Sequence, residues 1–283
     1  MRQKKTAILI ICIGSSKTLA DARKMITAAA RQFPDVKLYA AVYKASQRLI
    51  ADTKQPGAAA SVSGQTGEIP VCDGLAQALD QAVAEGVRIL AVQPLYLLYG
   101  IAYNGLMDTL KRYRRHFDAV AVGKPLLAGD ADLTVTARAL TGKMAAYDDG
   151  ETAVCLMGHG TAAAANDVYA QMQKKFRESG HGNYYIGTLH AEPSLAAVRK
   201  ALRAAGGYQK VALAPFMVFT GKHAWEDLAG GQPGSWKSVL EREGYQVSCV
   251  LEGLAQMPQV QNIYLDHLAA ALDAARGQGS VLR

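Results

Sequence analysis

Near-continuous apolar runs alternate with longer amphipathic segments along this 283-residue chain. Each run has the length of a strand, and each segment between two runs has the length of a helix. The runs cover residues 7–13, 38–42, 89–92, 119–122, 153–157, 184–189, 211–214 and 246–251, and the main helix-like segments cover 19–32, 74–85, 105–117, 163–179, 194–205 and 235–243. Strands that are apolar on both faces are typical of parallel sheets covered by helices. The sequence therefore predicts a doubly wound α/β fold.

The chain also shows an internal duplication. An apolar run ends at a glycine in both copies, in AILIICIGSS at residues 7–16 and in AVCLMGHGTA at residues 153–162. A later run leads from a proline to a second glycine, from Pro94 to Gly100 and from Pro215 to Gly221. The duplication predicts two similar halves, residues 1–128 and 129–283, with a cleft between them and the last helix, residues 259–276, packed back on one half. Residues 52–70 have no counterpart in the second half and predict an inserted loop.

The N-terminal residues MRQKK, followed by a short apolar run, have some features of a secretion signal. That run matches the first strand of the second half, so we predict a buried strand and a cytoplasmic protein. The four cysteines are far apart in the sequence and form no CxxC pair, which favours reduced thiols.

Several function classes lack their defining features in this sequence. The segment GSSKT does not have the spacing of a P-loop, and no GxGxxG follows the first strand, so neither nucleotide motif is present. Gly158 stands where a histidine phosphatase needs an arginine to bind phosphate. The formal net charge is +7, and its densest cluster, KRYRRH at 111–116, is typical of a solvated helix face rather than a nucleic-acid site. No apolar run approaches the ~20 residues that span a membrane.

Histidines follow three consecutive strands of the second half. His159 comes after the first strand, His190 and Glu192 after the second, and His223 after the third. Ligands of parallel sheets bind beyond the carboxyl ends of the strands, so we expect these side chains to share a site. Imidazole and carboxylate groups bind divalent first-row metals and also accept protons near neutral pH. Gly160 allows a tight turn and exposes backbone N–H groups at the start of the next helix.

The first half lacks these groups at the corresponding positions. Ile13 occupies the place of His159, and an isoleucine and an alanine at 101–102 occupy the place of Lys222 and His223. We therefore predict that the second half carries the chemistry and that the first provides one wall of the ligand site. The predicted wall residues are Gly14, Ser15, Ser16, Tyr96, Tyr99 and Tyr103, and Gly160 of the second half is also predicted to bind the substrate. For each tyrosine, packing in the core is the alternative.

Three segments carry a resemblance to a known family. They are AILIICIGSS, MGHGTAAAAN and FMVFTGKHAWEDLAGGQPGSWKSVLEREGY, at residues 7–16, 157–166 and 216–245. The most specific feature is MGHG combined with a GxHAxxDxxG…SWK pattern that starts at Gly221. Over essentially its whole length the chain is similar to the anaerobic sirohydrochlorin cobaltochelatases, which belong with the ferrochelatase-like class II chelatases.

The resemblance implies a chelatase-like fold of two halves and the ATP-independent insertion of Co²⁺ into sirohydrochlorin, or into a precorrin, in cobalamin biosynthesis. It implies that His159 and His223 bind the metal and accept protons, that no nucleotide cofactor takes part, and that the protein forms homo-oligomers. Sirohydrochlorin carries eight carboxylates, which fits the positive net charge.

One position departs from the family pattern. The family has a glutamate at the strand end, in a pattern like Glu-x-x-Pro, whereas this chain has His190, with Glu192 directly before Pro193. Either Glu192 replaces the missing carboxylate, or His190 creates a more nitrogen-rich site that shifts metal preference toward Ni²⁺, Zn²⁺ or Fe²⁺. Three alternatives to a cobaltochelatase stay open: a chelatase for Fe²⁺ or Ni²⁺, a non-catalytic haem-, tetrapyrrole- or metal-binding protein with this fold, and an exported two-lobed solute-binding protein.

Overall fold

The computed structural model describes residues 4–14, 16–43, 60–64, 67–72 and 74–277. The described strands are β1 (Thr6–Ile13), β2 (Lys37–Tyr43), β3 (Ala60–Gly64), β4 (Gly67–Cys72), β5 (Ile89–Pro94), β6 (Ala119–Val122), β7 (Thr152–Gly158), β8 (Tyr184–Thr188), β9 (Lys210–Pro215) and β10 (Gln246–Cys249). The described α-helices are α1 (Ser16–Gln32), α2 (Leu75–Ala84), α3 (Ile101–Tyr113), α4 (Asp130–Lys143), α5 (Val168–Glu178), α6 (Leu195–Ala205), α7 (Trp236–Arg242) and α8 (Pro258–Gly277). All eight predicted strands are present, and the α/β prediction is confirmed.

Two sheets share one central strand order. The first sheet has the order β3-β4-β2-β1-β5-β6, and the second has the order β10-β9-β7-β8. Strands β2-β1-β5-β6 therefore correspond to β8-β7-β9-β10, and all neighbouring pairs within these two sets are parallel. The register also agrees, because Ile11 lies opposite Pro94 in the first sheet and Met157 lies opposite Pro215 in the second. The duplication in the sequence is thus a duplication of the fold.

Buried apolar strands hold each sheet at the centre of its own unit. The whole of β7 is buried, and so are the six central residues of β1. Helix α2 shows how the helices cover a sheet, since it buries Leu75, Ala78, Leu79 and Ala82 on one face. This spacing is that of an amphipathic helix, and each buried leucine contributes roughly 1.5–3 kcal/mol to stability.

The last helix joins the first unit. The described residues up to Leu126 and from Gln261 onward form one compact unit, and residues 127–260 form the other. Within the first unit the Tyr264 hydroxyl donates a hydrogen bond to the Tyr96 carbonyl at 2.9 Å, and Ala271 and Ala275 pack against β6. The chain passes from the first unit to the second near residue 127, and most of α8 then returns to the first unit.

Three elements differ from the sequence prediction. Part of the predicted loop 52–70 forms a hairpin, in which β3 runs antiparallel to β4 and β4 runs parallel to β2, so the first sheet is mixed. Helix α4 begins just after the predicted boundary between residues 128 and 129, in a segment without a predicted element. A short π-helix, Ala224–Leu228, lies in a segment without a predicted element. Residues 52–59 and 65–66 of the predicted loop lie outside the described residues. In the described part of the chain, no helix has the length and apolarity to cross a membrane.

Candidate metal centre

Three neighbouring strands of the second sheet end at the same level. In the parallel register Gly158 lies opposite Thr188, and Met157 lies opposite Pro215. Backbone hydrogen bonds continue beyond the ends of β7 and β8, because the N–H of Leu189 donates to Gly158 and the N–H of His190 donates to His159, each at 3.1 Å. The residues that follow β7, β8 and β9 therefore meet at one edge of the sheet.

His159, His190 and His223 converge at that edge. Each offers a ring nitrogen, and these nitrogens all lie within 4.8 Å of one another. The ring centroids are 4.7 Å apart for His159 and His190, 5.2 Å for His159 and His223, and 5.8 Å for His190 and His223. Among the described residues, this is the one group of three His, Cys, Asp or Glu side chains that could hold a metal ion. The predicted meeting of three histidines is present in the structure.

Hydrogen bonds define the tautomers of two rings. The His159 Nδ1 lies 3.0 Å from the Gly160 carbonyl oxygen, and the His223 Nδ1 lies 2.6 Å from the Asp227 Oδ2. A carbonyl or carboxylate oxygen can only accept, so Nδ1 carries the hydrogen in both rings. In the neutral form of each ring, Nε2 then keeps the lone pair that binds a metal.

The π-helix brings Asp227 to His223. His223 immediately precedes the π-helical turn, and Asp227 lies within it. The backbone N–H of Ala229 donates to the Ala224 carbonyl at 3.3 Å, which is the wider turn of a π-helix. Asp227 faces His223 across this turn, in the arrangement in which a carboxylate orients a metal-binding imidazole.

The environment favours a neutral His159. Partial burial of the ring lowers the pKa of His159 from its ordinary value of 6.5, and the nearby rings of His190 and His223 lower the pKa further. The hydrogen bond to Gly160 opposes this shift, but the net direction is downward. Because protons compete with metals for imidazole, a lowered pKa keeps His159 available for a metal at neutral pH.

Comparison with known proteins identifies the family. The model for the family described as "Cobalt chelatase (CbiK)" matches residues 6–273. The chain belongs to the cobalt chelatase family. It is 36% identical over 204 residues to a protein from Nitratidesulfovibrio vulgaris named sirohydrochlorin cobaltochelatase CbiKC, a match that covers 71% of this chain and 72% of the relative. It is 28% identical over 199 residues to the sirohydrochlorin cobaltochelatase of Salmonella typhimurium, covering 70% and 74%. The resemblance read from the sequence is confirmed.

Solved structures support the same fold. SirB from Bacillus subtilis with Fe³⁺ superposes with a TM-score of 0.66 at 16% identity, over 97% of this chain and 98% of SirB. The sirohydrochlorin chelatase SirB from Bacillus subtilis subspecies spizizenii in complex with cobalt superposes with a TM-score of 0.62 at 15% identity, over 97% and 98%. At these identities the similarity establishes the α/β chelatase fold and nothing finer.

In this member of the cobalt chelatase family, Glu192 makes its hydrogen bonds outside the cluster of three histidines. Its Oε2 accepts a hydrogen bond from the backbone N–H of Ser194 at 2.8 Å, just before α6. Its carbonyl accepts from the side-chain amide of Asn166 at 2.6 Å. The structure does not bring the Glu192 carboxylate into the histidine cluster, because this side chain turns toward the start of the following helix.

The predicted wall residues of the first unit separate into two groups. Gly14 follows β1, and Tyr99 follows β5 with 41% of its surface exposed. Tyr96 is 6% exposed and belongs to the hydrophobic core of the unit, so its side chain packs rather than lining a ligand site. Ser16 begins α1, and Ser15 lies outside the described residues. In the second unit, Gly160 is buried and adopts a φ of 79° beside the histidines.

Two further residues of the site were absent from the predicted set. Asp227 could have been found from its place four residues after His223, since residues with this spacing face each other on a helix. Tyr169 lies on α5, and its hydroxyl accepts a hydrogen bond from the backbone N–H of Gly160 at 3.1 Å. Nothing in the local sequence points from Tyr169 to the turn at Gly160, because the contact arises only when the start of α5 lies beside the end of β7.

Proposed function

We propose that this protein inserts Co²⁺ into sirohydrochlorin without ATP and that His159, His190 and His223 hold the incoming metal. The observation that carries the proposal is the set of three ring nitrogens within 4.8 Å of one another at the carboxyl edge of the second sheet. Membership in the cobalt chelatase family supports the class of reaction. The two relatives named sirohydrochlorin cobaltochelatase support the substrate.

The first step is capture of the metal by neutral imidazoles. Three protein ligands leave further coordination positions on Co²⁺ open to water or to a pyrrole nitrogen. The lowered pKa of His159 favours its neutral ring, and the hydrogen bond to Asp227 orients the His223 ring for this step. Replacement of coordinated water by imidazole prepares the ion for transfer to the macrocycle.

The second step exchanges one Co²⁺ for two pyrrole N–H protons. When the metal moves to the pyrrole nitrogens, the imidazoles that held it regain their lone pairs. His159 and His223 are proposed as the proton acceptors at that point, since free imidazole accepts protons near neutral pH. The same side chains thereby serve first as metal ligands and then as bases, and the metal is a substrate throughout.

His190 is the proposed third ligand. Its ring lies within the cluster, whereas the Glu192 carboxylate is bound to the N–H of Ser194. Three imidazoles without a carboxylate form an all-nitrogen site, for which Ni²⁺ has a higher intrinsic affinity than Co²⁺. Metal preference must therefore be judged by the rate of insertion as well as by binding.

The proposal also covers how the macrocycle binds, which charge the substrate carries, and the compartment and oligomeric state of the protein. Tyr99 is proposed to bind the macrocycle, on the basis of its exposed ring beyond β5. The excess of positive charge favours a substrate that carries several carboxylates. We also propose a cytoplasmic homo-oligomer; the four cysteines, none of which forms a disulfide in the described chain, are compatible with a reducing compartment.

The test is metal insertion into sirohydrochlorin, followed anaerobically by absorbance with Co²⁺, Fe²⁺ or Ni²⁺. We expect the wild-type protein to accelerate Co²⁺ insertion well above the uncatalysed rate. His190→Ala should lose most of this acceleration because one of three ligands is missing. Glu192→Gln, the matched control, should retain it, since a glutamine oxygen can still accept from Ser194.

Two results would count against the proposal. Tight binding of Co²⁺ and sirohydrochlorin without turnover would favour a non-catalytic tetrapyrrole-binding protein. Loss of activity in Glu192→Gln together with an active His190→Ala would assign the third ligand to the carboxylate. Circular dichroism of each variant establishes that the fold is retained.

A further inference from the structure

The turn that carries His159 is closely surrounded by other atoms. A Cβ added to Gly158 would lie 2.3 Å from Cε1 of Tyr169, so the tyrosine ring fills the space beside this glycine. A Cβ added to Gly160 would lie 2.7 Å from Oγ1 of Thr188 and 2.9 Å from the backbone nitrogen of Ala191. Gly160 also adopts a φ of 79°, which favours glycine. The two glycines flanking His159 therefore let other groups approach its backbone directly.

One peptide group connects two of the three histidines. The carbonyl of His159 accepts a hydrogen bond from the backbone N–H of His190 at 3.1 Å. On the other side of the same peptide, the N–H of Gly160 donates to the hydroxyl of Tyr169 at 3.1 Å. Rotation of this peptide would move His159 and disturb its contact with His190. The Tyr169 hydroxyl is one of the two groups that hold the peptide in place.

Tyr169 is itself held firmly. It is 1% exposed, and its ring packs edge-on against Phe216 with centroids 6.0 Å apart. Phe216 is anchored in turn, because its backbone N–H donates to the Met157 carbonyl at 2.7 Å. The hydroxyl is therefore presented to the turn from a rigid position between the ends of β7 and β9.

We propose that Tyr169 is a positioning residue for metal insertion, which fixes His159 relative to His190 through the peptide between His159 and Gly160. Tyr169 acts through the backbone and need not touch the metal or the macrocycle. The inference rests on the proposed function, because it assigns Tyr169 a role in the histidine site described there. Outer residues that orient metal-binding groups typically change metal affinity by about 10- to 100-fold.

Tyr184 provides a matched control for a tyrosine-to-phenylalanine substitution. It is fully buried in the same unit, on β8, and its hydroxyl has no hydrogen-bond partner among the residues that the structure describes. Loss of this hydroxyl removes no contact with the histidine turn. Tyr184→Phe therefore reports the general effect of removing a buried phenol oxygen from this unit.

The experiment measures Co²⁺ binding to the full chain in the absence of tetrapyrrole, by titration and by the visible absorption of bound Co²⁺. We expect Tyr169→Phe to bind Co²⁺ about tenfold more weakly and to show a changed spectrum. Tyr184→Phe should match the wild type in both respects. A change in ligand geometry alters the spectrum, whereas a purely structural loss of stability alters only the unfolding temperature.

The outcomes separate the two proposals. If His190→Ala binds Co²⁺ as the wild type does, the histidine site of the proposed function is wrong. If His190→Ala is impaired and Tyr169→Phe is indistinguishable from Tyr184→Phe, the role of Tyr169 is overturned. All titrations are made below the unfolding temperature of every variant. Gly158→Ala, whose new Cβ displaces the Tyr169 ring while the hydroxyl remains, is the second variant and should also weaken binding.

Discussion

The two halves of this protein have the same strand order but different residues at the strand ends. In the first half β1 ends at Ile13, which packs against the hydrophobic core, and Gly14 follows. In the second half β7 ends at Gly158, and His159 then projects beyond the sheet edge beside Gly160. The matching registers of Ile11 with Pro94 and Met157 with Pro215 make Ile13 the structural counterpart of His159.

This difference separates what the strand topology determines from what the residues at the strand ends determine. Parallel strands bring their carboxyl ends to one edge in both halves, so each half has a place where ligands can bind. Only in the second half do imidazoles occupy three neighbouring strand ends of the described chain. The fold provides the location, and a few residues at that location decide whether it can bind a metal.

The largest expected effect on Co²⁺ insertion comes from replacing His159 of the second half by isoleucine, the residue at the corresponding position of the first half. His159→Ile removes one metal ligand and should lower the rate of Co²⁺ insertion by more than the roughly 10- to 100-fold typical of outer residues. The fold should persist, since Ile13 occupies the same position in the first half. Absorbance assays of Co²⁺ insertion, with circular dichroism for the fold, measure both.

The reverse substitution sharpens the comparison. Ile13→His should create no second Co²⁺ site, because the neighbouring elements provide no further imidazole. Tyr43 ends the adjacent strand β2, and Ile101 begins α3 in the segment that corresponds to the one carrying His223. Binding of a second equivalent of Co²⁺ by Ile13→His, measured by calorimetry, would show that a single histidine at this edge suffices and that the three-histidine argument fails.

A smaller effect is expected from the orienting carboxylate. Asp227→Ala leaves the Nδ1 hydrogen of His223 without its acceptor at 2.6 Å and should weaken Co²⁺ binding by about tenfold. Asp227→Asn should restore part of the loss, because an amide oxygen can still accept that hydrogen. Glu226→Ala, an exposed neighbour that pairs with Lys222, is the control and should bind Co²⁺ normally. If all three variants bind Co²⁺ with equal affinity, Asp227 has no role in metal binding.

The smallest expected effect concerns the stability of the fold at low pH. Each half has a carboxylate whose pKa is lowered by a basic partner. Hydrogen bonding from Arg199 lowers the pKa of Glu243 in the second half, as hydrogen bonding from Lys37 lowers the pKa of Glu85 in the first. A carboxylate with a lowered folded-state pKa stabilises the fold above its unfolded pKa of about 4.3, and this contribution is lost as the pH falls toward the lower value.

Glu243→Gln and Glu85→Gln should therefore each reduce stability at pH 7 by no more than about 1 kcal/mol, with the difference from wild type shrinking below about pH 4. Urea unfolding at pH 7 and pH 3.5 measures this. A deficit that grows on acidification would contradict the assigned direction of the pKa shifts.

Much of the fold could be predicted because its signals are local. Continuous apolar runs and amphipathic segments located the eight parallel strands, and the repeated strand–glycine pattern revealed the two halves. The β3–β4 hairpin was missed because its short strands lie in a segment rich in small and polar residues. Their strand character comes from the pairing of β4 with β2 and of β3 with β4. Helix α8 was located, but its unit was not, since contacts such as that of Tyr264 with Tyr96 join distant parts of the chain.

The site was predictable to the extent that strand ends could be recognised. His159, His190 and His223 each follow an apolar run, and parallel topology requires such positions to be neighbours. Tyr96 illustrates the opposite case, because a tyrosine just after a strand can face the core or the solvent, and packing places it in the core.

By itself the sequence determined the α/β class, the duplication and the three strand ends that carry histidine. These features follow from local patterns, since apolar runs separated by amphipathic segments indicate parallel strands covered by helices. Only the tertiary structure decided that His190 enters the cluster while Glu192 turns toward Ser194, and that Tyr169 reaches the turn at Gly160. Those outcomes depend on side-chain directions at the end of β8 and on how the start of α5 places Tyr169 beside the end of β7. Such contacts join residues that local sequence patterns do not relate.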